Sequence, residues 1–314
     1  MEQLPVEPIR TEALSKTYRK GLRQKSVQAL NNLSLTVAEG EIFGFLGPNG
    51  AGKSTTIKLL CDLIRPSSGK AAILGQDVRQ PLARRQIGYL PENPSYYGFL
   101  TGLELLEFHG TIHGMSRALI QERGEELLAM LNVAHAAHRQ VRTYSKGMVQ
   151  RVGIAAALIH DPRILIFDEP MSGLDPLGRK MVADLMLEMR DRGKVVFFST
   201  HILHDVEVIC DRIGIITDGE LQFCGAIPDM ISESFDSYEV LLRRADPGQV
   251  EAMENKGYAP VSFEDKVKVG VPKGDIAAFL ASFMQKDMEL ISIEPKRLNL
   301  EDFFMGFVTS HHQD

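Results

Sequence analysis

Nine residues constrain this chain more than any others: Gly47-Pro48-Asn49-Gly50-Ala51-Gly52-Lys53-Ser54-Thr55, set between the apolar run Ile42-Phe43-Gly44-Phe45-Leu46 and the helical pattern Thr56-Ile57-Lys58-Leu59-Leu60. The order is strand, glycine-rich loop, helix. A loop with few side chains can fold its backbone N–H groups around an anion, and the N-terminus of the following helix adds a favourable dipole. In this spacing the Lys53 ammonium is expected to reach the β- and γ-phosphates of a nucleotide, and the Ser54 hydroxyl a magnesium ion. A bare glycine turn is the plainer reading, but the flanking strand and helix stand where phosphate binding needs them.

A second chemical site is expected further on. The buried-strand run Ile164-Leu165-Ile166-Phe167 ends in Asp168-Glu169-Pro170, which puts two carboxylates at the carboxyl end of a parallel strand. Magnesium and a general base belong there. The run Val195-Val196-Phe197-Phe198 ends in Ser199-Thr200-His201, and if this strand lies beside the Asp168 strand, His201 emerges on the same edge. Alone, such a histidine is more often a packed or surface group.

Around these motifs the chain alternates in strand fashion from Ile9 to Val37, with Leu30, Leu33, Leu35 and Val37 on one period and a polar hairpin at Lys20 to Gln24. This reads as an antiparallel β layer, with Tyr18 ending its first strand. The helix after the glycine loop is expected to run to about Ile64 and to stop at Arg65-Pro66-Ser67-Ser68-Gly69. Short strands are expected at Ala71 to Leu74 and Ile87 to Leu90. Between Thr101 and Ala137, Leu103, Leu106, Ile112, Leu119, Leu127, Leu128 and Leu131 keep helical spacing. A further helix opens at Tyr144-Ser145-Lys146-Gly147-Met148, with Ser145 as its N-cap. These helices form an insert over about residues 95–160. From 236 onward the pattern is β-α-β-β-α-β, the ferredoxin-like plan, followed by an amphipathic helix Leu300 to Phe307 carrying Phe303, Phe304 and Phe307. The expected fold is thus α/β, with an antiparallel layer and a helical subdomain over 1–235 and a small α+β accessory domain over 236–314.

Composition excludes several classes. No apolar run approaches the roughly 18 residues of a membrane span, and the N-terminal Met1 to Pro5 lacks a secretory pattern. The expected location is the cytosol. Cys61, Cys210 and Cys224 have neither disulfide nor zinc spacing and are expected to be small buried hydrophobes. A net charge of −6 argues against nucleic acid as a partner.

Together these residues resemble the nucleotide-binding subunit of ATP-binding cassette transporters, over roughly Ile9 to Ile231. The resemblance implies that Tyr18 stacks on adenine, Gly47 to Thr55 holds the phosphates, Asp168 orders magnesium, Glu169 is the base for the attacking water, and His201 touches the γ-phosphate. Asp175, in Ser172-Gly173-Leu174-Asp175, would lie at a subunit boundary. Tyr144 to Met148 looks like the family signature Leu-Ser-Gly-Gly-Gln with three departures; Ser145 and Gly147 remain, enough to give a hydroxyl and an N–H to the γ-phosphate of an opposing subunit. Glu92 stands where the family usually has a magnesium-binding glutamine. Both variants resemble the branch that exports drugs, antibiotics, polysaccharides or lipids. The implied protein binds ATP and Mg2+, pairs with a second copy, and drives a separate transmembrane permease from the cytoplasmic face of the membrane. The segment Asn93 to Leu100 carries four large apolar or aromatic residues in a proline-and-glycine loop, and is expected to form part of the docking surface for that permease or, on the plainer reading, a local cluster packed on the helical insert. Two rivals are a cassette ATPase acting on nucleic acid or ribosomes, and a non-hydrolysing ATP-dependent regulator. The first lacks its coiled coils or tandem cassettes here, and the second should lack Glu169 or His201.

Overall fold

The computed structural model describes residues 7–19, 26–227, 237–283 and 288–296. The Lys20 to Gln24 hairpin and the Leu300 to Phe307 helix lie outside these residues. The chain divides into two compact units, the first ending at Ile227.

In the first unit the order is β1 (Ile9–Arg19), β2 (Ser26–Val37), β3 (Ile42–Leu46), α1 (Lys53–Leu60), β4 (Ser68–Ile73), β5 (Gln76–Asp77), α2 (Pro81–Arg84), β6 (Ile87–Leu90), α3 (Gly102–Ile112), α4 (Arg117–Met130), α5 (Lys146–Leu158), β7 (Ile164–Asp168), α6 (Pro176–Asp191), β8 (Val195–Thr200), α7 (Leu203–Ile209), β9 (Arg212–Thr217) and β10 (Glu220–Ala226). A six-stranded sheet has the order β10-β9-β3-β8-β7-β6, parallel except for β10. Its strands β3, β7 and β8 are buried along their whole length, which is why they read as unbroken apolar runs. Phe43 and Phe197 are register partners on β3 and β8, and their rings stack with centroids 5.6 Å apart. One apolar core joins this sheet, through Phe45, Ile166 and Phe197, to Ile57 and Leu60 of α1 and to Ile9, Leu14 and Leu33 of the antiparallel sheet β2-β1-β4-β5.

The antiparallel layer departs from simple alternation. Leu30 and Leu33 are three residues apart and would fall on opposite faces of a regular strand, yet both are fully buried. Asn32 adopts φ 50° and Ala13 φ 45°, and the β1–β2 register slips on either side of Leu14. These are bulges, and their amides are satisfied by hydroxyls: Ala13 N–H donates to Ser34 Oγ and Asn32 N–H to Ser15 Oγ, each at 2.9 Å.

Local chemistry sets the helix boundaries. Helix α3 begins at a capping box between Thr101 and Glu104, and α5 begins at Ser145, whose Oγ accepts from Met148 N–H at 3.3 Å. Helix α1 ends at Leu60, short of the expected Ile64, because Asp62 turns left-handed at φ 55° and is held by Arg65 and Arg84. Ile112 and Leu119, expected on the apolar faces of the insert, are 67% and 43% exposed. Only Cys61 is buried; Cys210 is partly buried, and Cys224 is exposed on β10 and accepts a contact from Arg212. Among the described residues no helix is long and apolar enough to cross a membrane.

The second unit contains β11 (Ser237–Arg243), a helix Pro247–Asn255, β12 (Pro260–Phe263), β13 (Lys266–Pro272), a helix Ile276–Phe283 and β14 (Glu289–Lys296), with sheet order β12-β13-β11-β14, all antiparallel. This is the ferredoxin-like arrangement. Alternate residues Val240, Leu242, Val267, Val269 and Val271 build its core with Met253, Phe279 and Phe283.

One packing feature carries a pH signature. His113, which caps α3, stacks on His160 with centroids 3.6 Å apart at 11°. His160 Nε2 faces the Ile87 carbonyl at 3.2 Å, while its Nδ1 is buried with no hydrogen-bond partner among the described residues. Burial pushes the His160 imidazole down to about 4, and His113, His109 and Lys194 push the same way against the Ile87 carbonyl. Between the ordinary histidine value of about 6.5 and about 4, the unfolded chain therefore binds more protons than the folded one, and stability falls as pH falls. Urea midpoints of the first unit should drop across that window, and His160→Gln should remove part of the drop. Parallel pH profiles for the two proteins would exclude His160 as its source.

Candidate active site

The glycine loop leaves β3 and enters α1 through positions that only glycine fits. A Cβ on Gly47 would lie 2.4 Å from the Ile216 carbonyl, and one on Gly52, whose φ is 111°, 2.7 Å from the Ala29 carbonyl. Lys53 opens α1, is 6% exposed, and donates from Nζ to the carbonyls of Gly47 at 2.6 Å and Pro48 at 3.2 Å. Its side chain thus lies back along its own loop. Burial lowers the Lys53 pKa, and the carboxylates of Glu169, Asp168 and Glu92 pull it back up.

Asp168 ends β7, and its Oδ1 accepts from Ser54 Oγ at 3.2 Å and from Ser199 Oγ at 2.6 Å. Glu169 follows in the left-handed region at φ 50°, uncommon for a residue with a side chain. Its Oε1 lies 3.8 Å from Lys53 Nζ, and both carboxylate oxygens lie within 3.0 Å of His201 Nδ1. The parallel pairing of β7 with β8 brings His201 to the Asp168 edge, as the sequence reading required. Glu169 is buried, whereas half of the His201 side chain is exposed.

These groups face one cleft of about 360 Å3, lined by Pro48, Asn49, Gly50, Gly52, Lys53, Ser54, Thr55, Glu92, Glu169, Ser172 and His201. That is within the range of small-ligand sites. Gly47 and Ala51 are buried and do not line it, and Asp168 meets it through Ser54. Glu92 is exposed, and lines the cleft with the loop. Tyr18, Ser145, Gly147 and Asp175 are not among the lining residues. Tyr18 is 37% exposed at the end of β1, with Lys16 Nζ 5.3 Å from its ring centre.

Ser145, exposed, and Gly147 begin α5 beside the Ser172 to Asp175 turn: a Cβ on Gly147 would lie 3.3 Å from Leu174, and the aliphatic part of Lys146 packs against Gly173. Tyr144, where the resembling family has leucine, is buried and donates from its hydroxyl to the Ala136 carbonyl at 2.6 Å. Asp175 caps α6 by accepting from Gly178 N–H at 3.2 Å, with Pro176 at the first helical position.

Two residues of the site carried no role in the sequence reading. Ser199 is fully buried between the Asp168 carboxylate and the Glu169 backbone N–H, and Gln150, also buried, donates to the carbonyls of Glu169 and Pro170 at 3.4 and 3.0 Å. A signal for Ser199 existed: once β7 and β8 are neighbours, counting along the two runs sets Ser199 opposite Asp168. None existed for Gln150, whose partners are backbone atoms 19 and 20 residues away.

The model of the family described as ABC transporter matches residues 30–172. An uncharacterised ABC transporter ATP-binding protein of Synechocystis is 41% identical over 97% of this chain and 86% of its own length. The linearmycin resistance ATP-binding protein of Bacillus subtilis is 30% identical over 95% of this chain and 97% of its own length. Among solved structures, a dimeric ATP-binding cassette in a post-hydrolysis state with ADP and Pi is 28% identical, with a TM-score of 0.65 over 70% of this chain and 98% of that one. The glycine loop, the paired carboxylates and the histidine thus sit in an ATP-binding cassette: the chain belongs to the ATP-binding subunits of ABC transporters, and is an ATPase.

Proposed function

We propose that this chain powers an exporter from the cytoplasmic face of the membrane, hydrolysing ATP at two composite sites built by a pair of identical subunits. Residues 1–235 carry the ATPase and 236–314 form an accessory domain. The observation that carries the reading is the convergence of Lys53, Glu169 and His201 on one cleft beside the Ser54–Asp168 contact.

In this reading the loop amides and Lys53 hold the phosphates, and Tyr18 stacks on the adenine. The hydroxyl of Ser54 and the carboxylate of Asp168 present two hard oxygens 3.2 Å apart, a donor pair that suits Mg2+, with Glu92, which lines the same cleft, as a further ligand. When bound, that ion would neutralise charge on the β- and γ-phosphates. Glu169 accepts a proton from the attacking water, and His201 orients Glu169 through its Nδ1. Ser145 and Gly147 do not line the cleft of their own subunit, yet they stand at a helix N-terminus, which favours a phosphate. A second copy supplies that phosphate, with Asp175 at the boundary.

Tyr97, Phe99 and Phe108 are 58%, 66% and 43% exposed, and the Tyr97 ring contacts both phenylalanine rings. Three exposed aromatic rings in contact are more than a soluble surface needs, and we assign them to the permease. Tyr96 does not belong with them, since it is half-buried with its edge to His109. Export as the direction rests on the branch resemblance and on the resistance protein among the relatives.

Glu169→Gln should keep ATP binding and slow hydrolysis by at least ~100-fold, since a positioned base contributes about 10² to 10⁴. Near-normal turnover in a single-turnover assay would remove Glu169 as base. Mixing Lys53→Ala chains with Ser145→Arg chains should restore ATP-driven pairing through the one composite site left intact, and sedimentation showing only monomers in the mixture would argue against shared sites. Replacing Tyr97 and Phe99 with serine should abolish transport in vesicles containing the permease while the subunit's own ATPase rate stays within about twofold, because exposed substitutions rarely disturb a fold. Undiminished transport would take the patch out of the docking surface.

A further inference from the structure

Glu169 is held at its backbone by two buried side chains. Its N–H donates to Ser199 Oγ at 3.0 Å, and its carbonyl accepts from Gln150 Nε2 at 3.4 Å, with Pro170 O at 3.0 Å from the same nitrogen. Ser199 is 0% and Gln150 2% exposed. The directions of these bonds follow from chemistry alone. An amide N–H can only donate, so the Ser199 oxygen accepts from Glu169 and must give its single proton to Asp168 Oδ1, 2.6 Å away. Two carbonyls can only accept, which orients the Gln150 amide with its nitrogen toward them.

Both side chains stand where an apolar residue would be easier to bury. Ser199 ends the run Val195 to Phe198, and Gln150 precedes the apolar stretch Val152 to Leu158 of α5. Between them sits a residue with a side chain at φ 50°, a conformation that persists only where the surroundings over-determine it. We infer that Ser199 and Gln150 are positioning residues for hydrolysis: together they hold the Glu169 backbone in its left-handed conformation and so keep its carboxylate against His201 and Lys53. This rests on the reading of Glu169 as the base. It has a further consequence. Gln150 rides on α5, the helix whose N-terminus carries Ser145 and Gly147, so the seat of the base in one site is tied to the helix that meets the nucleotide of the other.

The test uses Ser199→Ala, which removes the acceptor and the proton to Asp168, and Gln150→Met, which keeps length and removes the donor. Each should lower kcat at least ~10-fold, because a small displacement of a catalytic group costs about that or more, while KM for MgATP moves less than about threefold. Ser199→Thr keeps the hydroxyl and should recover most of the lost rate. In a Glu169→Gln background, either substitution should change the residual turnover by less than about threefold, since no base remains to be placed. Unchanged kcat in both single variants, with only the melting temperature lowered, would overturn the inference. So would a further tenfold loss when they are added to Glu169→Gln. Failure of the base assignment itself is separate, because it would show as normal turnover of Glu169→Gln alone.

Discussion

The pairing of β3 with β8, in parallel register from Ile42 opposite Val196 to Leu46 opposite Thr200, is the contact on which the chemistry depends. It joins the strand that delivers the glycine loop to the strand that delivers Ser199 and His201. Its far side is closed by β7, which delivers Asp168 and Glu169. Because all three run the same way, their carboxyl ends share one edge, and three segments far apart in sequence supply one cleft. The stacked Phe43 and Phe197 fill the core beneath that edge. A slip of one residue between β7 and β8 would move Ser199 away from Asp168 and turn His201 from Glu169.

The edge gathers unfavourable elements as well as useful ones. Lys53 is buried, Glu169 is buried in a strained backbone conformation, and Asp168 is buried beside it. Each is tolerated because the others satisfy it: Lys53 by loop carbonyls and nearby carboxylates, Asp168 by two hydroxyls, Glu169 by Ser199, Gln150 and His201. Removing one partner would leave a buried charge or amide unmatched, which costs more than the lost contact alone. Such mutual dependence suits a site that must hold several charged groups in place before a reaction begins.

Much of this was legible in the chain because it is written locally. The glycine loop announces its own turn, the apolar runs announce buried parallel strands, and Ser145 announces a helix start; each needs only neighbours in sequence. The six elements of the second unit were legible for the same reason, and their order in the sheet follows the ferredoxin-like plan. What was not legible depends on pairing. Leu30 and Leu33 share a face only because Asn32 bulges, and the amide of that bulge is satisfied by Ser15 from another strand. Gln150 reads as one more polar residue near a helix start until its backbone partners are known. The His113–His160 stack joins two helices of the insert that periodicity treats separately. Cys224 looked buried by residue type and is exposed because β10 is an edge strand. Tyr96 and Tyr97 are adjacent in sequence, yet one turns inward and the other outward.

The central claim is that one subunit holds the phosphates and a second copy completes the site. A crystal structure of the Glu169→Gln chain with ATP and Mg2+ tests it most directly. The predicted result is a symmetric pair in which each γ-phosphate lies between Lys53 of one copy and Ser145 with the Gly147 amide of the other, within hydrogen-bond distance of both. ATP bound by a single copy, with Ser145 and Gly147 facing solvent in a fully loaded protein, would contradict it.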